Sequence, residues 1–345
     1  MHLIGPGDPG YDRHRAVFDR RVDRRPAAIA RCRTRDDVAA ALAHARDRRL
    51  DFAVRGGGAT ERATIDGGLV IDVSAMKGVD VDPVGRTARV SGGVTWAELD
   101  AAAQAHGLAV TGGRVSWLGV VGVARGEGRG WLERSLGPTG DHVADVETVD
   151  DAVVTALTLR LHPVGPELLC GFLGFPRERA LDVARAYRDL MAHAPPAVGG
   201  ALTLFAGRGG GVQLTFCFAG EPGEGDRWLA PLRALGPSLD AVALNPYCAL
   251  QAMTDTQHPF GMRAELRADT LDALEDDVLE AIVAAADRPA AALARVTLRP
   301  RGGALGGAPW NYECLGMWPP VDSLDRGMAE WVDVACASSA TPSRA

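Results

Sequence analysis

Three glycine clusters are the residues of this chain best placed to do chemistry: Arg55-Gly56-Gly57-Gly58, Thr111-Gly112-Gly113-Arg114 and Gly126-Glu127-Gly128-Arg129-Gly130. Glycine permits positive φ and close backbone approach, so consecutive N–H groups can converge on an anion such as a pyrophosphate. In a chain with 42 glycines, any one cluster reads most simply as a turn. Three in one stretch, each next to a strand, point to a dinucleotide cradle. None fits G-x-G-x-x-G after a strand with an acidic residue about 20 positions on, and G-x-x-x-x-G-K-[ST] is absent, so neither a Rossmann site nor a P-loop is supported.

A second set of residues could move protons. His142, beside Asp141, could act as an acid or base, although a lone loop histidine is more often a surface or capping residue. Tyr247 in Asn245-Pro246-Tyr247 and Tyr312 in Trp310-Asn311-Tyr312 are the phenol candidates, set against ordinary packing with a hydrogen-bonded hydroxyl. Trp310, Trp318 and Trp331 read as core rather than as a stacking surface. Asp272, Glu275, Asp276 and Asp277 read as a solvated helix face. No Ser/His/Asp order, paired-carboxylate motif or metal-ligand cluster stands out. The six cysteines lack a C-x-x-C pair, so no metal site is expected.

The elements that must position these residues follow from hydrophobic pattern and punctuation. Short strands are expected at 27–32, 51–55, 68–73 and 87–91, the second ending in the triple glycine. Thr34 caps a helix whose Val38, Ala41, Leu42 and Ala45 share one face, and Thr95 caps another over Trp96–Ala105. Beyond the run at 161–166, Ala-rich helices (179–193, 224–235, 269–286) alternate with strands at 211–218 and 294–299. The fold class is α+β. The organisation reads as an N-terminal arm (1–24), a first domain (25–165), a second domain (166–335) and a flexible tail (336–345).

Composition narrows the function. The chain has 345 residues, 47% of them hydrophobic, and net charge -7, which disfavours nucleic-acid binding through a general positive field. Lys77 is the single lysine among 37 basic residues, so abundant arginine is no evidence for phosphate recognition. With no signal-peptide run and no apolar stretch of membrane-spanning length, a cytoplasmic protein acting on a small molecule is expected.

The ordered motifs resemble a known family. Ala53-Val54-Arg55-Gly56-Gly57-Gly58, Asp66-Gly67-Gly68-Leu69-Val70-Ile71-Asp72, Gly112-Gly113-Arg114-Val115-Ser116, Gly119-Val120-Val121-Gly122 and Gly128-Arg129-Gly130-Trp131-Leu132 are similar to the FAD-binding domain of the vanillyl-alcohol oxidase / p-cresol methylhydroxylase (PCMH-type) superfamily, and most similar to berberine-bridge-enzyme-like oxidases. Leu159 to Pro166 resembles the exit from that domain, and Asn245-Pro246-Tyr247 with Ala249-Leu250-Gln251 resembles its antiparallel-sheet substrate domain. The likeness spans roughly residues 25–335. It implies an FAD-dependent oxidoreductase of an alcohol, sugar or secondary metabolite. Arg55, Gly56, Gly57 and Gly58 would wrap the pyrophosphate. Gly112, Gly113, Gly122, Gly126, Gly128 and Gly130 would let backbone approach the cofactor, with Ala59, Asp141 and Val154 beside it.

The same resemblance implies departures. Family members often tether the flavin through a histidine after the triple glycine and a cysteine further on. Those positions are Ala59 and Gly140, so FAD would be held non-covalently. Glu127 replaces a loop glycine. A strand, a helix and a further glycine-rich turn are expected between Asp150 and Asp151, where the chain closes directly, and the stretch from Gly306 to Trp310 looks abbreviated. The Tyr-containing strand and Asn-rich end that contact the flavin in the family do not follow before Ala345. The alternative expectation is therefore a family member without redox activity, serving as a non-redox catalyst or binding protein.

Overall fold

The computed structural model describes residues 1–126, 128–207, 209–288, 293–305 and 309–337. The chain divides into two compact units. The first comprises Met1–Gly130, Pro138–Pro166 and Gln251–Gly261; the second comprises Trp131–Gly137, Glu167–Leu250 and Met262–Ala345. Glu127, the stretch 306–308 and most of the tail lie outside the described residues.

Among the described residues the first unit contains two four-stranded sheets and a short antiparallel pairing of Leu108–Ala109 with His162–Pro163. One is built around Leu69–Asp72, whose four residues are all buried and which pairs in parallel with Ala28–Arg31 on one side and Phe52–Arg55 on the other. A run buried on both faces is what a parallel strand under helical cover requires. Its cover is the helix Arg35–Arg48, opened by a capping box: Asp37 N–H donates to Thr34 Oγ1 and Thr34 N–H to the Asp37 carboxylate. Val38, Ala41, Leu42 and Ala45 are the buried face of this helix, as their spacing predicts.

The second sheet is antiparallel, in the order Val79–Asp82, Thr87–Ser91, Val153–Arg160, Val143–Val149. The helix Trp96–Gln104 packs against it and places Trp96, Leu99 and Ala103 in the core with Ala88, Val90, Leu157 and Leu159. Val149 pairs with Val153, so the chain turns through Asp150-Asp151-Ala152. Both aspartates have positive φ (51° and 52°), a backbone that Asp tolerates better than most residues.

The N-terminal residues are not a loose arm. His2–Ile4 pairs antiparallel with Ala28–Arg31, and Ile4 and Tyr11 pack with Ile29 and Val70 while the Tyr11 hydroxyl donates to Pro26 O. Four apolar side chains are enough to dock a segment that composition alone marks as polar.

The second unit is one eight-stranded antiparallel sheet covered on one face by the helices Ala180–His193, Pro222–Arg233, Asp276–Ala286 and Asp322–Ala337. Residues 269–271 belong to the strand Arg263–Leu271 rather than to a long helix, because Leu271 pairs with Trp310. The acidic run begins the helix that follows: Glu275 precedes it, Asp276 and Asp277 occupy its first turn where negative charge is favourable, and Asp276 pairs with Arg185 and Arg188. Trp310, Trp318 and Trp331 are core residues.

Candidate functional site

The first glycine loop leaves the C-terminal end of the parallel strand Phe52–Arg55. Gly58 has φ 69°, and a Cβ there would lie 2.7 Å from Arg55 Nη2, so the Arg55 side chain folds under its own loop. A Cβ on Gly57 would lie 2.9 Å from Gly119 N and 3.5 Å from Trp117 O, which brings the first and second loops together backbone to backbone.

Arg55 is the residue that gives this loop its chemistry. Its Nη1 is buried without a hydrogen-bond partner, and burial lowers its pKa from the ordinary arginine value against the opposing charge of Asp72. A buried guanidinium with an idle N–H beneath a glycine loop suits an anion. Trp96 Nε1, Thr111 Oγ1 and Trp117 Nε1 are also buried without partners in the same unit. These donors fit a ligand rich in acceptor oxygens, as FAD is, so the residues present match the group the motifs imply. Asp100, nearby in sequence on the helix Trp96–Gln104, is buried, and burial raises its pKa well above the ordinary value and so favours the uncharged carboxyl.

Most of the later glycines are packed closely against the protein's own atoms. A Cβ on Gly112 would fall 2.6 Å from Trp96 Cε3, on Gly113 2.8 Å from Leu118 Cδ1, on Gly130 1.8 Å from Gly112 O, and on Gly128 (φ 49°) 2.7 Å from Thr139 Cβ. Their lack of a side chain is required by the protein's own packing. Gly126 would meet Gly122 O at 3.3 Å, and Gly122 alone of this set opens onto nothing within 4 Å. Thr139, unremarked in the sequence, ties the region together: it is fully buried, and its hydroxyl donates to Thr111 O at 2.7 Å or Gly128 O at 2.9 Å. Val154 is packed in the antiparallel-sheet core, Ala59 is half-buried beyond the triple glycine, and Asp141 is exposed, its carbonyl accepting from Arg160.

A strap from the second half of the sequence returns to this unit. Gln251 donates to Gly113 O, Thr254 Oγ1 to Arg114 O at 2.5 Å, and Asp255 accepts from Ser116 N at 2.9 Å and Ser116 Oγ at 2.5 Å. Every hydrogen bond in this set lands on the second glycine loop.

The three proton-transfer candidates fare differently. His142 is buried, with Nδ1 3.0 Å from His162 Nε2, and burial, His142 and two arginines together depress the His162 pKa. The pair is a packed contact of the first unit. Tyr312 lies in the helix-covered core of the second unit, and its hydroxyl donates to Ala335 O while burial pushes its pKa up. That phenol is structural. Tyr247 opens the helix Tyr247–Ala252 and is fully buried outside that core cluster.

Sequence reading missed a buried polar face in the second unit. On the side of the sheet away from the helices, Thr297 stands in register with Thr203 and Glu313, and Arg295 and Arg299 lie two residues to either side of it on the same face. Arg299 binds Glu313 through two bonds of 2.9 and 3.1 Å, and burial pushes Arg295 down to about 10. The signal was the alternation in Arg-Val-Thr-Leu-Arg, polar residues on one face and Val and Leu on the other. Among the described residues no group of three or more His, Cys, Asp or Glu is placed to hold a metal ion, and no helix is long and apolar enough to cross a membrane.

Residues 26–158 match the family described as an FAD binding domain. The chain is 27% identical over 288 residues to an FAD-linked oxidoreductase of Dictyostelium discoideum, covering 75% of this chain and 63% of that protein. It is 28% identical over 294 residues to the (R)-6-hydroxynicotine oxidase of Paenarthrobacter nicotinovorans, covering 73% and 62%. The chain thus spans somewhat less than two thirds of the length of these relatives. Among solved structures, 6-hydroxy-D-nicotine oxidase from Arthrobacter nicotinovorans superposes with TM-score 0.87 at 24% identity over 98% of this chain and 85% of that one. The berberine-bridge-enzyme-like 1 protein of Physcomitrella patens does so with TM-score 0.83 at 16% identity, over 98% and 86%. Residues 26–158 are thus similar to an FAD binding domain, and the chain has the fold seen in the 6-hydroxy-D-nicotine oxidase and berberine-bridge-enzyme-like structures.

Proposed function

We propose that the protein is an FAD-dependent oxidoreductase that oxidises a small organic substrate, an alcohol, a sugar or another metabolite of secondary metabolism, with the flavin held non-covalently. The observation that carries this reading is Arg55: a buried guanidinium with an idle N–H under a glycine loop, in a segment that matches an FAD binding domain. The names of the relatives, FAD-linked oxidoreductases and a hydroxynicotine oxidase among them, support it.

The bound flavin would supply the two-electron acceptor chemistry. The protein's own residues do the rest. Arg55 and the N–H groups of Gly56, Gly57 and Gly58 would hold the pyrophosphate; Ala59 and Gly140 offer no nucleophile to a ring methyl group, so the flavin would be held non-covalently. Gly122 is the remaining glycine open to a ligand. Tyr247, the phenol of Asn245-Pro246-Tyr247, is the group we assign to handling the substrate's proton. Burial pushes the thiols of Cys32, Cys170 and Cys314 up to about 12, and a cytoplasmic setting is part of this proposal.

The test is the visible absorbance of the purified protein after FAD is added and excess removed. Retained bands near ~370 and ~450 nm, released on denaturation and bleached anaerobically by a substrate from an alcohol and sugar panel, support the reading. A cooperatively folded protein that stays colourless overturns it.

A further inference from the structure

The first unit holds an aromatic cluster that neither its core nor the glycine loops account for. Phe18 stacks on Trp117, with centroids 5.0 Å apart and an interplanar angle of 28°. Phe260 meets Phe18 edge-on at 5.5 Å and 84°, and meets Trp117 at 4.5 Å and 56°. The three rings come from segments far apart in sequence, and each is anchored at the Arg55–Gly58 loop or at its neighbour. The Phe18 N–H donates to Gly58 O at 2.9 Å. Trp117 O lies 3.5 Å from where a Gly57 Cβ would be, and Phe260 is delivered by the strap whose Gln251, Thr254 and Asp255 grip residues 113–116.

A cluster assembled only for stability would be covered. Here Phe260 is 58% exposed, and Phe18 and Trp117 are half-buried. Exposed aromatic surface beside a polar anchor is what a ring-bearing ligand needs: the anchor fixes the charged group, and the rings take the planar one. The anchor is the Arg55–Gly58 loop with its idle buried Nη1.

We propose that Phe18, Trp117 and Phe260 form a stacking platform for a planar heteroaromatic ring of the diphosphate ligand seated on the Arg55–Gly58 loop. The inference rests on the FAD reading of that loop. FAD carries two such rings, adenine and isoalloxazine, and the shared chemistry is a flat π-surface a few bonds from a pyrophosphate.

Titration calorimetry of FAD and of ADP against the wild-type protein, Phe260→Ala and Trp117→Leu tests it. The expected result is a rise of about tenfold in the FAD Kd for each variant. If ADP weakens in parallel, adenine occupies the platform; if FAD weakens and ADP does not, isoalloxazine does. Variants that unfold at the wild-type temperature and bind FAD as the wild type does overturn the platform while leaving the FAD reading intact. A wild-type protein that binds no FAD overturns both. Should Trp117→Leu fail to fold, Phe260→Ala decides, because most of that ring already faces solvent.

Discussion

Replacing Asp100 by asparagine isolates a buried titration that the fold tolerates without compensation. Asp100 is 1% exposed on the helix Trp96–Gln104, between Leu99 and Ala103 of the core, and neither carboxyl oxygen has a hydrogen-bond partner. Burial is the sole cause of its raised pKa. The folded protein therefore keeps a proton that the unfolded chain, with an ordinary carboxyl of about 3.9, releases. This contribution is harmless below that value. As pH rises toward the folded pKa, stability falls by about 1.4 kcal/mol for each pH unit. The asparagine side chain does not titrate and leaves a comparable unpaired amide, so Asp100→Asn should match wild type near pH 4. At higher pH it should exceed wild type by a margin that grows by about 1.4 kcal/mol per pH unit until the folded carboxyl itself titrates. Asp100→Leu should gain at every pH, because it also removes an unpaired buried polar group worth about 1–3 kcal/mol. Urea unfolding followed by circular dichroism between pH 4 and pH 8 measures all three. A difference between wild type and Asp100→Asn that is constant across that range would refute the reasoning, since it would mean that the carboxyl is hydrated or paired when folded.

Three further predictions follow from the site. Gly130→Ala places a Cβ 1.8 Å from Gly112 O and should cost at least about 3 kcal/mol or abolish folding of the first unit, read by thermal unfolding. Arg55→Met should weaken FAD about 10- to 100-fold by calorimetry without lowering the unfolding temperature, because the lost guanidinium was buried at a cost; unchanged affinity would disprove its role. Tyr312→Phe should lose about 1–2 kcal/mol of stability with the bond to Ala335 O and keep its turnover, whereas Tyr247→Phe should lose turnover; the reverse pattern in steady-state assays would exchange their roles.

What the sequence conveyed well was local. The capped helices at Thr34 and Thr95 and the strands ending in glycine sit where their patterns place them, because capping and period depend on neighbours a few residues away. The strand Val79–Asp82 was invisible: four residues alternating Val and Asp carry too little pattern to stand out from a loop. Arg55 was legible as part of a motif, but its idle Nη1 was not, since that depends on how the side chain packs beneath Gly58. Glycine positions were visible and their purposes were not. That Gly112 lies against Trp96 and Gly130 against the backbone of Gly112 depends on tertiary approach that no local pattern carries. The strap at Gln251–Gly261 was hidden for the same reason, because its partners at Gly113 to Ser116 are brought to it by tertiary structure.

That strap has a consequence for how the protein is made. The loop from Gly113 to Ser116 obtains its bonds from Gln251, Thr254 and Asp255, which leave the ribosome only after the whole stretch Glu167–Leu250 of the other unit. The nucleotide-binding unit is therefore a discontinuous piece of chain that cannot be completed in the order in which it is synthesised. A polypeptide released at Pro166 holds both sheets of that unit yet leaves its second glycine loop unfastened and its third aromatic ring absent. The unit becomes whole only once translation has passed through most of its neighbour.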